Sequence, residues 1–208
     1  MSKRRTILAS LLQNNKPIEI VQSKTYNTNS IAGGGSINIS FNTPPKVGNK
    51  IIIMIGCDQI RFNNLVGGSL VVVSTGASLP GRVWTTTDYS NIYTVQNTSA
   101  SPGTFRIVML EVKNCSSIVG VESLSVINNT ITSSPTNVNK NEMLVVFLYK
   151  QANQLASATN SFNETVQSTQ VSAWSRLYTT NELTQTSTLS HTGATNQTMR
   201  HYTLKLIP

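Results

Sequence analysis

Few side chains in this sequence can do chemistry, and they are far apart. The eight carboxylates are Glu19, Asp58, Asp88, Glu111, Glu122, Glu142, Glu164 and Glu182. Cleaving a glycosidic bond takes two carboxyl groups across one sugar linkage, and no two of these lie at short spacing. A calcium loop takes clustered Asp, and the sequence has only Asp58 and Asp88. His191 and His201 would face each other if the chain between them formed a hairpin. They have no third ligand, and no Ser-His-Asp arrangement is legible, so surface or groove positions are the simpler account. Cys57 and Cys115 lack the CxxC spacing of a zinc site. They read as two buried free thiols rather than a disulfide. Gly33-Gly34-Gly35 is not a phosphate loop, because the alternating run Ser36–Phe41 follows it instead of a helix. The expectation is no catalytic residue, no metal and no cofactor.

The aromatic residues allow one binding chemistry. A sugar platform needs a flat apolar ring beside hydrogen-bonding neighbours. Tyr89, Tyr93, Trp174 and Tyr178 sit in Thr-, Ser- and Asn-rich surroundings and are the candidate glycan-binding side chains. Trp84 and Trp174 follow similar strands in the two halves of the chain. Such matched placement also suits a shared packing role, which is the stronger reading for these two.

Two apolar runs must hold whatever site exists. One is Lys50-Ile51-Ile52-Ile53-Met54-Ile55-Gly56, and the other is Glu142-Met143-Leu144-Val145-Val146-Phe147-Leu148-Tyr149. Both are β-branched or aromatic-rich, follow turn residues, and are far shorter than the ~20 residues that span a bilayer. They read as the central strands of a β-sandwich. Pro17–Val21, Ser36–Phe41, Ser69–Val73, Thr104–Val112 and Val119–Val126 read as further strands, and Thr25–Ser30 as a polar loop.

The order repeats. Asn141-Glu142-Met143 echoes Asn49-Lys50-Ile51, Trp174 echoes Trp84, and Met199–Leu206 echoes Phe105–Val112. Pseudo-repeats over about 48–112 and 140–206 predict two copies of a four-strand unit. Together these would make one all-β, eight-stranded, jelly-roll-like antiparallel sandwich over residues 25–208.

Charged residues are 12% of the 208, so Ser, Thr, Asn and Gln supply the polar surface. The formal charge is +8. Lys3, Arg4, Arg5, Lys16 and Lys24 against Glu19 place half of it in the first 24 residues. Elsewhere the cations are scattered singly, unlike a nucleic-acid interface, which concentrates them among stacking aromatics. Residues 1–24 read as a separate arm with a short helix from Ser2 to about Gln13. Its stripe of Ile7, Leu8, Leu11 and Leu12 needs a surface to dock on. Three readings stand: a frayed end, a helix on its own sandwich, or an assembly arm in which Lys3, Arg4 and Arg5 meet an acidic partner. The run Ile7–Leu12 is too short for a secretory leader, so the expectation is a soluble protein made in a cytoplasm.

The basic start Met1–Ser10 and the order Gly48-Asn49-Lys50, Gly81-Arg82-Val83-Trp84-Thr85, Phe105–Val112 resemble the lectin-like jelly-roll proteins of tailed-bacteriophage virions. That family includes capsid decoration, head-fibre and tail-fibre proteins. The resemblance covers most of the chain but includes no shaft. It implies a non-enzymatic virion component that binds capsid or tail proteins and forms a homo-oligomer, a trimer for preference. A host surface glycan is a further ligand that it implies.

Overall fold

The computed structural model describes residues 16–57, 63–73, 81–127, 130–150, 156–168, 170–191 and 198–208. Every strand or helix among them is a strand. The first half holds β1 (Glu19–Ile31), β2 (Ser36–Ile39), β3 (Lys50–Cys57), β4 (Asn63–Leu65), β5 (Ser69–Val73), β6 (Gly81–Thr86), β7 (Tyr93–Asn97) and β8 (Gly103–Lys113). The second holds β9 (Ser117–Ile127), β10 (Thr130–Thr132), β11 (Thr136–Val138), β12 (Met143–Lys150), β13 (Ala156–Ala158), β14 (Asn163–Gln167), β15 (Val171–Leu177), β16 (Glu182–Gln185), β17 (Thr188–His191) and β18 (Thr198–Ile207). The expected helix over 2–13 lies outside the described residues.

Two five-stranded antiparallel sheets form the body. Their orders are β1-β8-β3-β6-β5 and β9-β18-β12-β15-β14, the same succession in each half. Smaller sheets, β2-β7-β4 in one half and β10-β17-β13 with β11-β16 in the other, cover the outer faces. This layering explains why β3 and β12 are apolar without a break, since each is buried on both faces. Ile52 and Met54 of β3 meet Val145, Phe147 and Tyr149 of β12 in an inner core between the large sheets. Ile51, Ile53 and Ile55 point the other way, into an outer core with Ile39, Leu65 and Val95. Leu144, Val146 and Leu148 do the same in the second half, with Ile131, Trp174 and Leu189. The period of two along each strand therefore feeds two cores at once. Each fully buried aliphatic or aromatic side chain contributes roughly 1.5–3 kcal/mol.

The halves meet as a pseudo-two-fold pair. Strand β1 lies against β14 and β5 against β9, which is the same relation twice. Ser23 Oγ donates to the Thr165 carbonyl at 3.1 Å across one seam, and the Arg106 guanidinium reaches Gln170 across the interface.

Four expectations need correcting. The repeat is not a four-strand unit doubled into eight strands, because each half is itself a large sheet with smaller sheets on its outer face. The Asn141-Glu142-Met143 echo is displaced by one residue. Ile51 pairs with Glu111, and Leu144 pairs with Lys205, so Leu144 is the equivalent of Ile51. The Trp and last-strand echoes hold: Trp84 pairs with Ile53 and Trp174 with Val146. Thr25–Ser30 is part of β1, where Thr25, Tyr26 and Asn27 pair with Val108, Ile107 and Arg106. Those polar residues belong to an edge strand whose backbone β8 satisfies. Residues 19–24 lie on the same strand, so an arm extending to residue 24 would include half of β1.

Candidate functional site: a buried polar cluster in the second half

Register makes the two halves comparable residue by residue, and it shows where they differ chemically. His201 pairs with Leu148 as Ile107 pairs with Ile55. Thr203 pairs with Val146 as Met109 pairs with Ile53. Lys150 takes the place of Cys57, and Glu122 that of Lys24. The outer core of the first half is apolar at the positions where the second carries an amine, an imidazole and a hydroxyl. His201 and Lys150 are both 0% exposed.

The cluster is tied together. His201 Nε2 lies 3.1 Å from Ser187 Oγ and 3.3 Å from Thr203 Oγ1. Its Nδ1 is 3.9 Å from Glu122 Oε1, which accepts the Ser134 N–H at 2.7 Å. The Ser187 N–H donates to Ser133 Oγ at 2.8 Å, and the Ser133 N–H donates to the Ser187 carbonyl at 2.9 Å. Burial pushes His201 down to about 4, so at neutral pH it is an uncharged imidazole. Burial also pushes Lys150 down to about 8, and its Nζ has no hydrogen-bond partner among the described residues.

Ser187, His201 and Glu122 stand in the order nucleophile, base and acid. The distance from Nδ1 to the carboxylate exceeds hydrogen-bond range, and both Ser187 and Thr203 are 1% exposed. What the arrangement does in the folded chain is bracing. It bonds β18 to the segments leading into β11 and β17, and holds β9 alongside. A Ser hydroxyl in this position offers no approach to a substrate.

The sequence-derived candidates fall elsewhere. Tyr93, Trp174 and Tyr178 are buried, at 2%, 2% and 1% exposure, and cannot present ring faces to a sugar. Alternation on β7 turns Tyr93 inward with Val95, where it meets Phe41 edge-on with ring centroids 6.2 Å apart. Trp174 and Trp84 each fill the outer core of their own half. Tyr178 lies beneath the Arg176 guanidinium at 4.6 Å. Tyr89 keeps partial exposure, and its hydroxyl donates to the Asn49 carbonyl at 3.1 Å. The four rings do not converge. Lys3, Arg4, Arg5, Ile7, Leu8, Leu11 and Leu12 lie outside the described residues. His191 is on β17 in register with Ala156. Cys57 and Cys115 are buried free thiols, as expected. Among the described residues no three His, Cys, Asp or Glu side chains converge, and no helix is long and apolar enough to cross a membrane.

No known family model matches the chain, and no curated protein matches it.

Two features were missed in the sequence. One is Glu111, 1% exposed, which gathers Gln22, Lys46 and Asn49 around a single carboxylate. The other is the polar cluster itself. The available signal was His201 and Thr203 at alternate positions of a final strand whose echo, Ile107 and Met109, is apolar. Lys150 at the end of an unbroken apolar strand was a second sign.

Proposed function

We propose that the chain is a non-enzymatic structural protein of a tailed-bacteriophage virion, a capsid decoration protein or a short fibre or adaptor. In this reading its N-terminal segment attaches it to capsid or tail proteins, and its body faces outward. One observation carries the reading. Each half sets a large antiparallel sheet, β1-β8-β3-β6-β5 or its equivalent, beneath smaller outer sheets such as β2-β7-β4, and we read this layering as jelly-roll-like. Of the motifs that resemble virion proteins, Gly48-Asn49-Lys50 leads into β3, and Gly81–Thr85 and Phe105–Val112 lie on β6 and β8, its two neighbours in that layer. Side chains with chemical potential serve packing at the positions described, which suits a protein selected for shape.

The test is solution mass by light scattering for the full chain and for a chain lacking residues 1–15. That cut spares β1, which begins at Glu19. The reading expects a discrete oligomer, a trimer for preference, that becomes a folded monomer on truncation. Unchanged mass after truncation would sink it.

A carbohydrate- or receptor-binding module is the second reading. Tyr89 supports it, as the one candidate ring left partly open, with Asp88 and Asn49 beside it. Loss of glycan-array signal on Tyr89→Ala is the expected result, and a blank array for the unaltered chain would end this reading.

A further inference from the structure

The pseudo-two-fold gives the molecule two equivalent seams between its large sheets, β1 against β14 and β5 against β9, and they differ in charge. Lys50 pairs with Val112 as Met143 pairs with Leu206. Ser69 pairs with Thr85 as Asn163 pairs with Ser175, and Ser117 pairs with Ile207 as Glu19 pairs with Lys113. An ammonium and a hydroxyl at one seam therefore stand where a thioether and a carboxylate stand at the other. The β5–β9 seam holds a cleft of about 170 Å³, walled by Lys50, Ser69, Thr85, Ser117 and Ile118. Alternation along β3 turns Lys50 to the inner face, with Ile52 and Met54. It is half-buried there, and its ammonium makes no ion pair and no hydrogen bond among the described residues. Two carboxylates at the same end of the sandwich are already engaged. Asp88 accepts the Ser90 N–H at 2.8 Å and the Ser90 hydroxyl at 3.0 Å, and Glu111 holds Gln22, Lys46 and Asn49. Ser69 and Ser117 are exposed, so the cleft opens to solvent.

We propose that this cleft binds an acidic sugar, its carboxylate on Lys50 and its ring hydroxyls on Ser69, Thr85 and Ser117. The inference rests on the carbohydrate-binding reading but uses residues other than Tyr89. The charge selects the acid. One ammonium without a counter-ion matches one carboxylate, and a charge-assisted bond gains strength in a half-buried cleft. No second cation lines the cleft among the described residues, so a more highly charged group such as a phosphate would stay unmatched. The walls select the sugar. Hydroxyls both donate and accept, as a polyol requires, and Ile118 offers an apolar side to the C–H face of a ring. The cleft is smaller than the ~300 Å³ at which sites for larger ligands begin, which suits a single ring. Asn49 and Ser116, the chain neighbours of Lys50 and Ser117, line a second hollow of about 360 Å³, where a following unit has room.

The experiment is a titration of the full chain, followed by amide NMR, with glucuronic acid, glucose, acetate and inorganic phosphate in turn. Glucuronic acid should shift the amides of Lys50, Thr85 and Ser117, and added salt should weaken it. Glucose and acetate, which each carry half of the recognised chemistry, should bind about tenfold more weakly or less. Lys50→Met installs the side chain found at the equivalent place in the second half, so it should fold, and it should weaken glucuronic acid about tenfold or more. Glu164→Gln, at the other seam, should change nothing. Absence of shifts with glucuronic acid, or full affinity in Lys50→Met, overturns the proposal. Phosphate or acetate shifting the same amides as strongly also overturns it, because the site would then take any small anion. If a neutral sugar binds and Tyr89→Ala alone abolishes it, the carbohydrate-binding reading stands and only this site falls. If no sugar binds at all, both fall.

Discussion

Gly56 and Tyr149 hold equivalent places in the two halves and pack on each other. Gly56 pairs with Arg106 and Tyr149 with Arg200. A Cβ added to Gly56 would lie 2.7 Å from Tyr149 Cγ. Residues that touch their own equivalents lie beside a two-fold axis, so the axis passes here with a large ring on one side and no side chain on the other. Gly81 and Tyr202 are not counterparts, but there too a ring meets a glycine, and an added Cβ would lie 2.0 Å from the Tyr202 hydroxyl.

Gly56→Ala should therefore destabilise by about 1–3 kcal/mol through overpacking. Combined with Tyr149→Leu, it should cost less than the sum of the single changes. Urea unfolding of the four members of the cycle measures the coupling. Strict additivity would mean the two positions do not share space.

Removing the carboxylate of Glu111 strands three donors. It accepts Gln22 Nε2 at 2.6 Å, the Lys46 N–H at 2.8 Å and Asn49 Nδ2 at 2.5 Å. The equivalent position in the second half is Lys205, which pairs at 3.6 Å with Glu142 from the preceding loop. Glu142 in turn accepts from Asn139. The carboxylate has moved from strand to loop, but its task of holding the loop before the central strand is unchanged. Glu111→Ala should cost about 3 kcal/mol or more, and an isosteric Gln somewhat less. Thermal melting separates these, and a loss of a few tenths would refute the account.

His201 makes stability depend on pH. Its folded value of about 4 lies below its ordinary 6.5. Between these values the unfolded chain binds the extra proton, so the contribution is complete above pH 6.5 and is lost as pH falls toward 4. The loss should reach about 3 kcal/mol. His201→Gln should flatten that part of the curve, and an unchanged slope would place the dependence elsewhere.

Lys150 is a buried amine without a hydrogen-bond partner among the described residues, so Lys150→Met should raise the melting temperature. Its folded value of about 8 lies below the ordinary 10.5, so the native chain releases its proton first on raising pH. Wild-type stability gains between pH 8 and 10.5. The advantage of the Met variant should be largest below pH 8 and shrink above it. A variant no more stable than wild type would imply that the amine is satisfied in solution.

The strands were legible in the sequence because β3, β8 and β12 combine β-branched runs with turn residues. The repeat was legible because Trp84 and Trp174 keep the same register. The number of layers was not. An unbroken apolar strand is equally consistent with one core on each side, and alternation along it cannot say what covers the outer face. Glycan candidates failed for a related reason. Tyr93 and Tyr178 sit among polar neighbours in sequence, but Tyr93 is on the inward face of a small outer sheet and both rings fill the outer cores. Glu111 was invisible because its three partners come from positions 22, 46 and 49, brought together only by pairing β1 and β3 with β8.

The layering also bears on how the chain can change over time. A substitution in the inner core is felt by both halves at once, so positions such as Gly56 and Tyr149 can drift only in compensating pairs. Each outer core answers to its own half alone. There Ile107 has an imidazole as counterpart and Cys57 an amine, while the shared core remains apolar. The molecule can therefore evolve a new surface on one outer face while the other is conserved.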